Sequence, residues 1–255
     1  GPIYRSAQIA GGNASATLRP DTAAVLDAEA ALGDSGIVLL DTPDPLCVVA
    51  SLFSMADYTV VAMTEPERMH RALEKVSGWL LPRVEAIARA LPGRLWRIYG
   101  PEYASPPYLP PAMFEEYVTR YVTPMIETIH RTGGFARIHS HGRLREILPF
   151  IAATDCDALD PIEPPPQGDI QLLEVRRDYG DRWVLFGNLE IADIENLPTP
   201  LFAKKIETAL REGTSGSGRG FVLMPSACPY GRKLSPLAMR NYQEMIRIAT
   251  GEESR

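Results

Sequence analysis

GGFARIHSHGRLREILPFIAATDCDALDPIEPPPQGD, residues 133–169, decides how this chain is read. A strand signal ends in His139-Ser140-His141-Gly142, a helix signal follows, a second strand signal follows that, and an acidic, proline-stiffened loop closes the stretch. Side chains two apart on a strand point the same way. Arg137, His139 and His141 therefore share one face and Ala136 and Ile138 the other. Two imidazoles side by side at a strand end have the look of paired metal ligands.

The same alternation extends outward. Thr22 to Leu32 has helical spacing, with Asp21 as its cap and Gly33 as its stop. Gly36–Asp41 is a short apolar strand, and Pro45 opens a helix after it. Thr64-Glu65-Pro66-Glu67 has capping-box spacing, and Pro82 and Pro92 punctuate the residues beyond it. Leu95–Tyr99 is strand-like, and Met113–Arg131 is a helix expected to bend at Pro124. Beyond the histidines the pattern predicts a helix over Arg143–Ala153, a strand over Cys156–Asp160, and a helix over Ile170–Tyr179 capped by Asp169. Strands at Trp183–Phe186 and Phe221–Met224 come next, with helices opened by Thr199-Pro200 and Ser235-Pro236.

Apolar strands alternating with helices over short connections imply parallel strands with helical crossovers. An open doubly wound sheet would fit, but no Gly-x-Gly-x-x-Gly follows the first strand. The residues just past the strands are polar or ligand-like: Glu102, His139 and His141, Asp160 and Glu163, Asn188, Cys228. A (β/α)8 barrel carries its site at that end. The expectation is an α/β single domain over residues 1–255, with an irregular segment over 1–20, six strands legible and two not.

At 255 residues, 45% hydrophobic and 23% charged, the chain has an ordinary globular composition and can bury a large core. A net charge of −6 with scattered basic residues argues against nucleic acid. No apolar run approaches the roughly 20 residues that span a bilayer, and no leader is legible, so no membrane is expected. Three widely separated cysteines, Cys47, Cys156 and Cys228, form no disulfide framework, which fits a cytoplasmic protein.

Four histidines occur in the whole chain. His70 and His130 fall on helix faces, where packing explains them. For His139 and His141 the ligand reading competes with a hydrogen-bonded pair inside the barrel. Imidazole and thiolate suit zinc, and Cys228 ends a later strand from which it could complete the site. Glu102 could be a displaceable oxygen ligand. Asp160 and Glu163 could position substrate or act as acid and base. Arg137, below the histidines, is expected to pair with a barrel carboxylate.

The order of GPEYASPP (100–107), MFEEYVTRYVTPMIETIH (113–130), IHSHGRLREIL (138–148), DALDPIE (157–163), VLFGNLE (184–190) and GRGFVLMPSACP (218–229) resembles the uroporphyrinogen decarboxylase superfamily. The resemblance implies a (β/α)8 barrel, here without about the first two strands of the family pattern and without the decarboxylases' amino-terminal arginine segment. It is closer to the cobamide-dependent methyltransferases, which hold zinc by His-x-Cys and a distant Cys and activate a thiol. His139 and Cys228 match the first and last of those ligands and Glu102 matches a family glutamate, whereas His141 stands where those enzymes have cysteine. The residue pattern and the resemblance together single out Glu102, Asp160 and Glu163 for catalysis, Asn188 and Arg137 for substrate contacts, and His139, His141 and Cys228 for zinc. The expected activity is methyl transfer between a small methylated substrate or thiol and a corrinoid on a partner protein. A metal-assisted hydrolase or decarboxylase-like lyase, and a non-catalytic tetrapyrrole-binding barrel, are the alternatives. An open barrel edge would also favour association, so a homodimer is expected.

Overall fold

The computed structural model describes residues 19–231 and 233–251. Helix α1 (Ala23–Leu32) precedes β1 (Leu39–Pro43), α2 (Pro45–Ala50), α3 (Met55–Thr64) and α4 (Pro66–Ala90). Next come β2 (Leu95–Tyr99), the short α5 (Ala112–Phe114), a π turn over Glu115–Thr119, and α6 (Arg120–His130). Then follow β3 (Phe135–His139), α7 (Leu148–Ala152), β4 (Ala158–Asp160), α8 (Leu172–Tyr179), β5 (Val184–Leu189), α9 (Ile191–Asn196), α10 (Thr199–Gly213), β6 (Phe221–Pro225) and α11 (Pro236–Thr250).

All six strands are parallel and lie in chain order in one sheet, β1 and β6 at its ends. This is a partial (β/α)8 barrel with six of the eight strands among the described residues. The outer face of the sheet packs under the helices: Leu40, Trp96, Ile98, Ala136, Ile138, Leu159 and Leu185 are buried. Each such aliphatic side chain contributes roughly 1.5–3 kcal/mol by leaving water. The register carries the opposite parity onto the concave face. Asp41, Arg97 and Arg137 stand level with one another there, and Pro43, Tyr99, His139 and Asp160 stand level one step nearer the strand ends.

Several boundaries differ from the sequence expectation. β1 starts at Leu39, three residues late, because its pairing with β2 begins there. The Thr64 capping box does not form: Thr64 ends α3, and its hydroxyl donates to Val60 O. Helix α4 runs straight through Pro82, sustained by a buried stripe of Met69, Leu73, Val76, Leu80, Val84 and Ala88. In the 112–130 helix the departure from α geometry lies at the π turn, upstream of Pro124. The helix after the histidines covers only Leu148–Ala152, and Asp169 is not the cap of α8, for a reason that belongs to the site. Helices α3 and α9 were not legible.

Arg176, on α8, is a buried cation without a carboxylate partner among the described contacts. Its Nε donates to Ser215 O (3.0 Å) and its terminal nitrogens to Ser217 Oγ (3.1 Å) and to Gly180 O and Gly220 O (3.5 Å each). Those acceptors lie just past the carboxyl ends of α8 and α10 and just before β6, where a cation satisfies free carbonyls and the helix dipoles together. Arg176→Ala strands several of them. It should cost about 2–4 kcal/mol of unfolding free energy in denaturant titrations, with Arg176→Lys recovering little because one ammonium cannot span the acceptors.

Candidate functional site

The exit of β3 is held by the segment that follows it in the sheet. Asp157 Oδ2 accepts from Ala136 N (2.7 Å) and faces His130 Nε2 (2.8 Å). Asp160 Oδ2 lies 3.0 Å from His139 Nδ1, and its carbonyl accepts from Ser140 N (2.8 Å). Glu163 is bidentate, with Oε1 2.9 Å from His141 Nδ1 and Oε2 accepting from Gly142 N at 2.9 Å. Asp169 Oδ1 accepts from Leu144 N (2.8 Å) and Arg145 N (3.1 Å). This last pair caps a turn over residues 145–147, where a helix from Arg143 was expected. It also takes Asp169 away from α8, where Gln171 N instead donates to Glu174 Oε1 (3.2 Å). The carboxylates at 157, 160, 163 and 169 thus fasten the chain at 136, 139–142 and 144–145.

Asp160 is fully buried, and a carboxylate only accepts, so the proton on His139 sits on Nδ1 and its Nε2 carries the lone pair. His141 Nδ1–H donates to Glu163 in the same way. The two rings stand edge to face, 4.7 Å between centroids and 87° between planes. Burial pushes the His141 imidazole toward its neutral form. The hydrogen bond and charge of Glu163, with Glu102 and Asp160 beyond, outweigh it and hold the His141 pKa above the usual histidine value. Burial would raise the Glu163 pKa, but the His141 ring and the Gly142 amide outweigh it and lower it. The pair therefore favours imidazolium beside carboxylate.

Of the residues expected at the site, the structure brings His139, His141, Asp160, Glu163 and Arg137 together. Arg137 Nε is 3.1 Å from Asp160 Oδ1 and its guanidinium lies 4.4 Å from the Phe186 ring centroid. Asp160 and Glu163 are partners of the histidines, not free acids or bases. Glu102 turns back on its own loop, its Oε2 accepting from Gly100 N (3.0 Å), yet its charge reaches His141. Asn188 lies near the end of β5, level with Met224. Cys228 is exposed in the loop beyond β6 and close enough to Tyr242 of α11 to act on it electrostatically.

Zinc fits this arrangement only in part. Each histidine has its Nδ1 engaged by a carboxylate and Nε2 free, the outer-shell pattern of metal-binding imidazole. However, among the described residues no group of three or more His, Cys, Asp or Glu side chains is placed to hold a metal ion. His139, His141 and Cys228 therefore do not form the expected trio.

Sequence reasoning passed over Asp44, at the mouth end of β1. It is fully buried and caps α2 through Cys47 N (2.6 Å), while its other oxygen has no partner among the described residues. Burial, reinforced by the charge of Glu102, pushes its pKa well above the usual carboxylate range despite the Cys47 amide. The Asp-Pro helix start was its only signal. Gly100 closes over it at φ +114°, where a Cβ would meet Asp44 Oδ1 at 2.5 Å and Cys47 Cβ at 2.2 Å. Ser105 and Ser140, both buried and joined at 3.0 Å, tie the loop after β2 to the His-Ser-His turn and left no sequence signal.

Similarity to known proteins agrees with this geometry. A solved structure, a methyltransferase from Methanosarcina mazei, superposes with a TM-score of 0.64 at 16% identity, over 89% of this chain and 63% of its own. At that identity the likeness carries the fold alone, and this chain spans 63% of that protein's length. The search of curated proteins returned no match. The family model described as Uroporphyrinogen decarboxylase (URO-D) matches residues 44–232, well over half of the 255, and the chain belongs to that family.

Proposed function

We propose that this chain is a group-transfer enzyme that takes a methyl group from the oxygen of a small methylated substrate and passes it to a corrinoid carried by a partner protein. The observation that carries the reading is the His141–Glu163 pair at the mouth of the partial barrel. Breaking an O–CH3 bond leaves an alkoxide or phenoxide, and an acid that protonates that oxygen as it departs lowers the barrier. His141, kept protonated by Glu163, is placed to be that acid. His139, its Nδ1–H fixed on Asp160, offers Nε2 to accept a hydrogen bond from the substrate. The corrinoid supplies the reduced cobalt that takes the methyl group. A thiol as methyl partner is less favoured, because it rests on a metal trio that the described residues do not bring together. The family match and the methyltransferase neighbour support the general reading.

A decarboxylase-like lyase is the second reading, and the same proton favours it: loss of carbon dioxide leaves a carbanion that an imidazolium can protonate. Released carbon dioxide, against a demethylated product with alkylated cobalt, separates the two.

The test is alkylation of free reduced cobalamin by a panel of methoxylated small molecules, followed spectroscopically. His141→Asn should lower kcat by roughly 10²–10⁴-fold, the usual contribution of a general acid. In the wild type the rate should fall as pH rises through the elevated His141 pKa. An unchanged kcat in His141→Asn would remove the acid role. Stoichiometric zinc lost in His139→Ala, His141→Ala and Cys228→Ala alike would replace this mechanism with the metal one.

The same pair makes stability depend on pH. Its contribution is complete between the unfolded-state values of glutamate and histidine, about pH 4.3 to 6.5. Above that window it is lost as pH rises through the raised His141 pKa, and below it as pH falls through the lowered Glu163 pKa. The stability gap between wild type and Glu163→Gln in denaturant titrations should be largest near pH 5.5 and smaller at pH 9.

A further inference from the structure

We infer that Arg137 is the anchor for an anionic group of the substrate, and that the substrate class is an amphiphilic carboxylic acid whose apolar body lies over Phe186. This deepens the proposed function, resting on it for where the reacting end lies.

Arg137 stands one step below His139 on the concave face of β3 and is 5% exposed. Its contacts among the described residues are the Asp160 ion pair and the face of Phe186. The ion pair is poorly formed. Nε and Asp160 Oδ1 are 3.1 Å apart, yet each is a buried atom without a hydrogen-bond partner, so the N–H points off the line between them. The two η nitrogens donate to nothing among the described residues. A guanidinium this buried normally spends its planar fork on a carboxylate or on carbonyls, as Arg176 does.

Neighbouring groups do not supply the missing acceptor. Arg97, level with Arg137 on β2, holds Asp41 bidentate at 2.7 Å on both sides, so Asp41 is committed. Asp160 already serves His139. Two guanidinium groups and an imidazole N–H thus share two carboxylates, and the one left short is Arg137. The ring it covers supplies the apolar half of the site. Phe186, with Leu95, Phe135 and Val184 from the same concave face, lines a cavity of about 560 Å³ toward the amino-terminal ends of the strands, where Glu29, Arg94 and Asp157 also border it. That volume suits a small organic acid. Arg137 stands between Phe135 and His139 on that face of β3, so a carboxylate on its free η nitrogens would have the cavity for its body on one side and the histidines for an adjoining functional group on the other.

The experiment is isothermal titration of the whole chain with 3-phenylpropionate, with 3-phenylpropanol as the uncharged match and acetate as the bodiless one. The wild type should bind the acid at least about tenfold more tightly than the alcohol, the worth of one charge-assisted hydrogen bond, and should bind acetate weakly. Arg137→Gln should erase the preference for the acid, and Arg137→Lys should keep only part of it. If Arg137→Gln fails to fold because Asp160 is left uncompensated, the double variant Arg137→Gln/Asp160→Asn, with both groups neutral, carries the test. Equal binding of acid and alcohol, no binding of the acid at millimolar concentration, or an undiminished preference in the glutamine variants overturns the assignment. His141→Asn separates the two ideas: acid binding kept in that variant, with no methyl transfer by the wild type, sinks the proposed reaction and leaves this site standing. Methyl transfer without acid preference does the reverse.

Discussion

A single carboxylate without solvent contact, Asp160, sets the terms for the inner surface of this protein. It ends β4, the shortest strand of the sheet, and faces a guanidinium on one side and an imidazole on the other. Left alone, such an anion would cost several kcal/mol in a low-dielectric interior. It is tolerable only because Arg137 and His139 arrive on the adjacent strand in the right register, two residues apart and on one face. The parallel pairing of β3 with β4 therefore fixes which nitrogen of His139 carries the proton and how far the guanidinium can turn. Replacing the carboxylate would leave a cation buried below the histidines and free the ring above to rotate.

From that anchor the acidic residues on either side of β4 work outward along β3 and the connection after it as a set of backbone and ring acceptors. Asp157, Glu163 and Asp169 each take an amide or imidazole proton from a point between residues 130 and 145. The prolines of that connection, at 161 and 164–166, limit its freedom, so the acceptors stay where the histidines need them. Gly168 is part of the same fit, because a Cβ there would meet Glu163 O at 1.9 Å. The geometry of the candidate site is thus a property of two neighbouring segments, with the helices behind them serving as the wall they press on.

The fold was largely legible, because parallel strands buried by helices leave continuous apolar runs, and all six runs sit within three residues of their expected places. The failures were local rules overridden by distant partners. Thr64 and Glu67 have the spacing of a capping box, but Thr64 is the last residue of α3 with its hydroxyl turned to Val60 O, and α4 starts one residue later from Glu65. Asp169 looked like a cap because it precedes a helix, and nothing local says that its oxygen is claimed 24 and 25 residues upstream. At the site, the shared face of Arg137, His139 and His141 follows from strand periodicity and was readable. That Asp160 and Glu163 would be bound to those rings is a matter of strand order. Whether Cys228 meets the histidines was least accessible of all, since it depends on how the sheet curves between β3 and β6.

The sheet has a direction in its wear as well as in its chemistry. β3 and β4 have hydrogen-bonded neighbours on both flanks, whereas β1 and β6, among the described residues, are paired on one flank only. In a parallel strand alternate amides point to opposite flanks, so half the amide protons of the outermost strands have no ladder partner. Solvent should exchange those protons on a far shorter timescale than the ones around Ile138 and Leu159. The histidine-bearing centre would then be the last part of the molecule to open and the first to re-form, with its looser margins able to breathe without disturbing it.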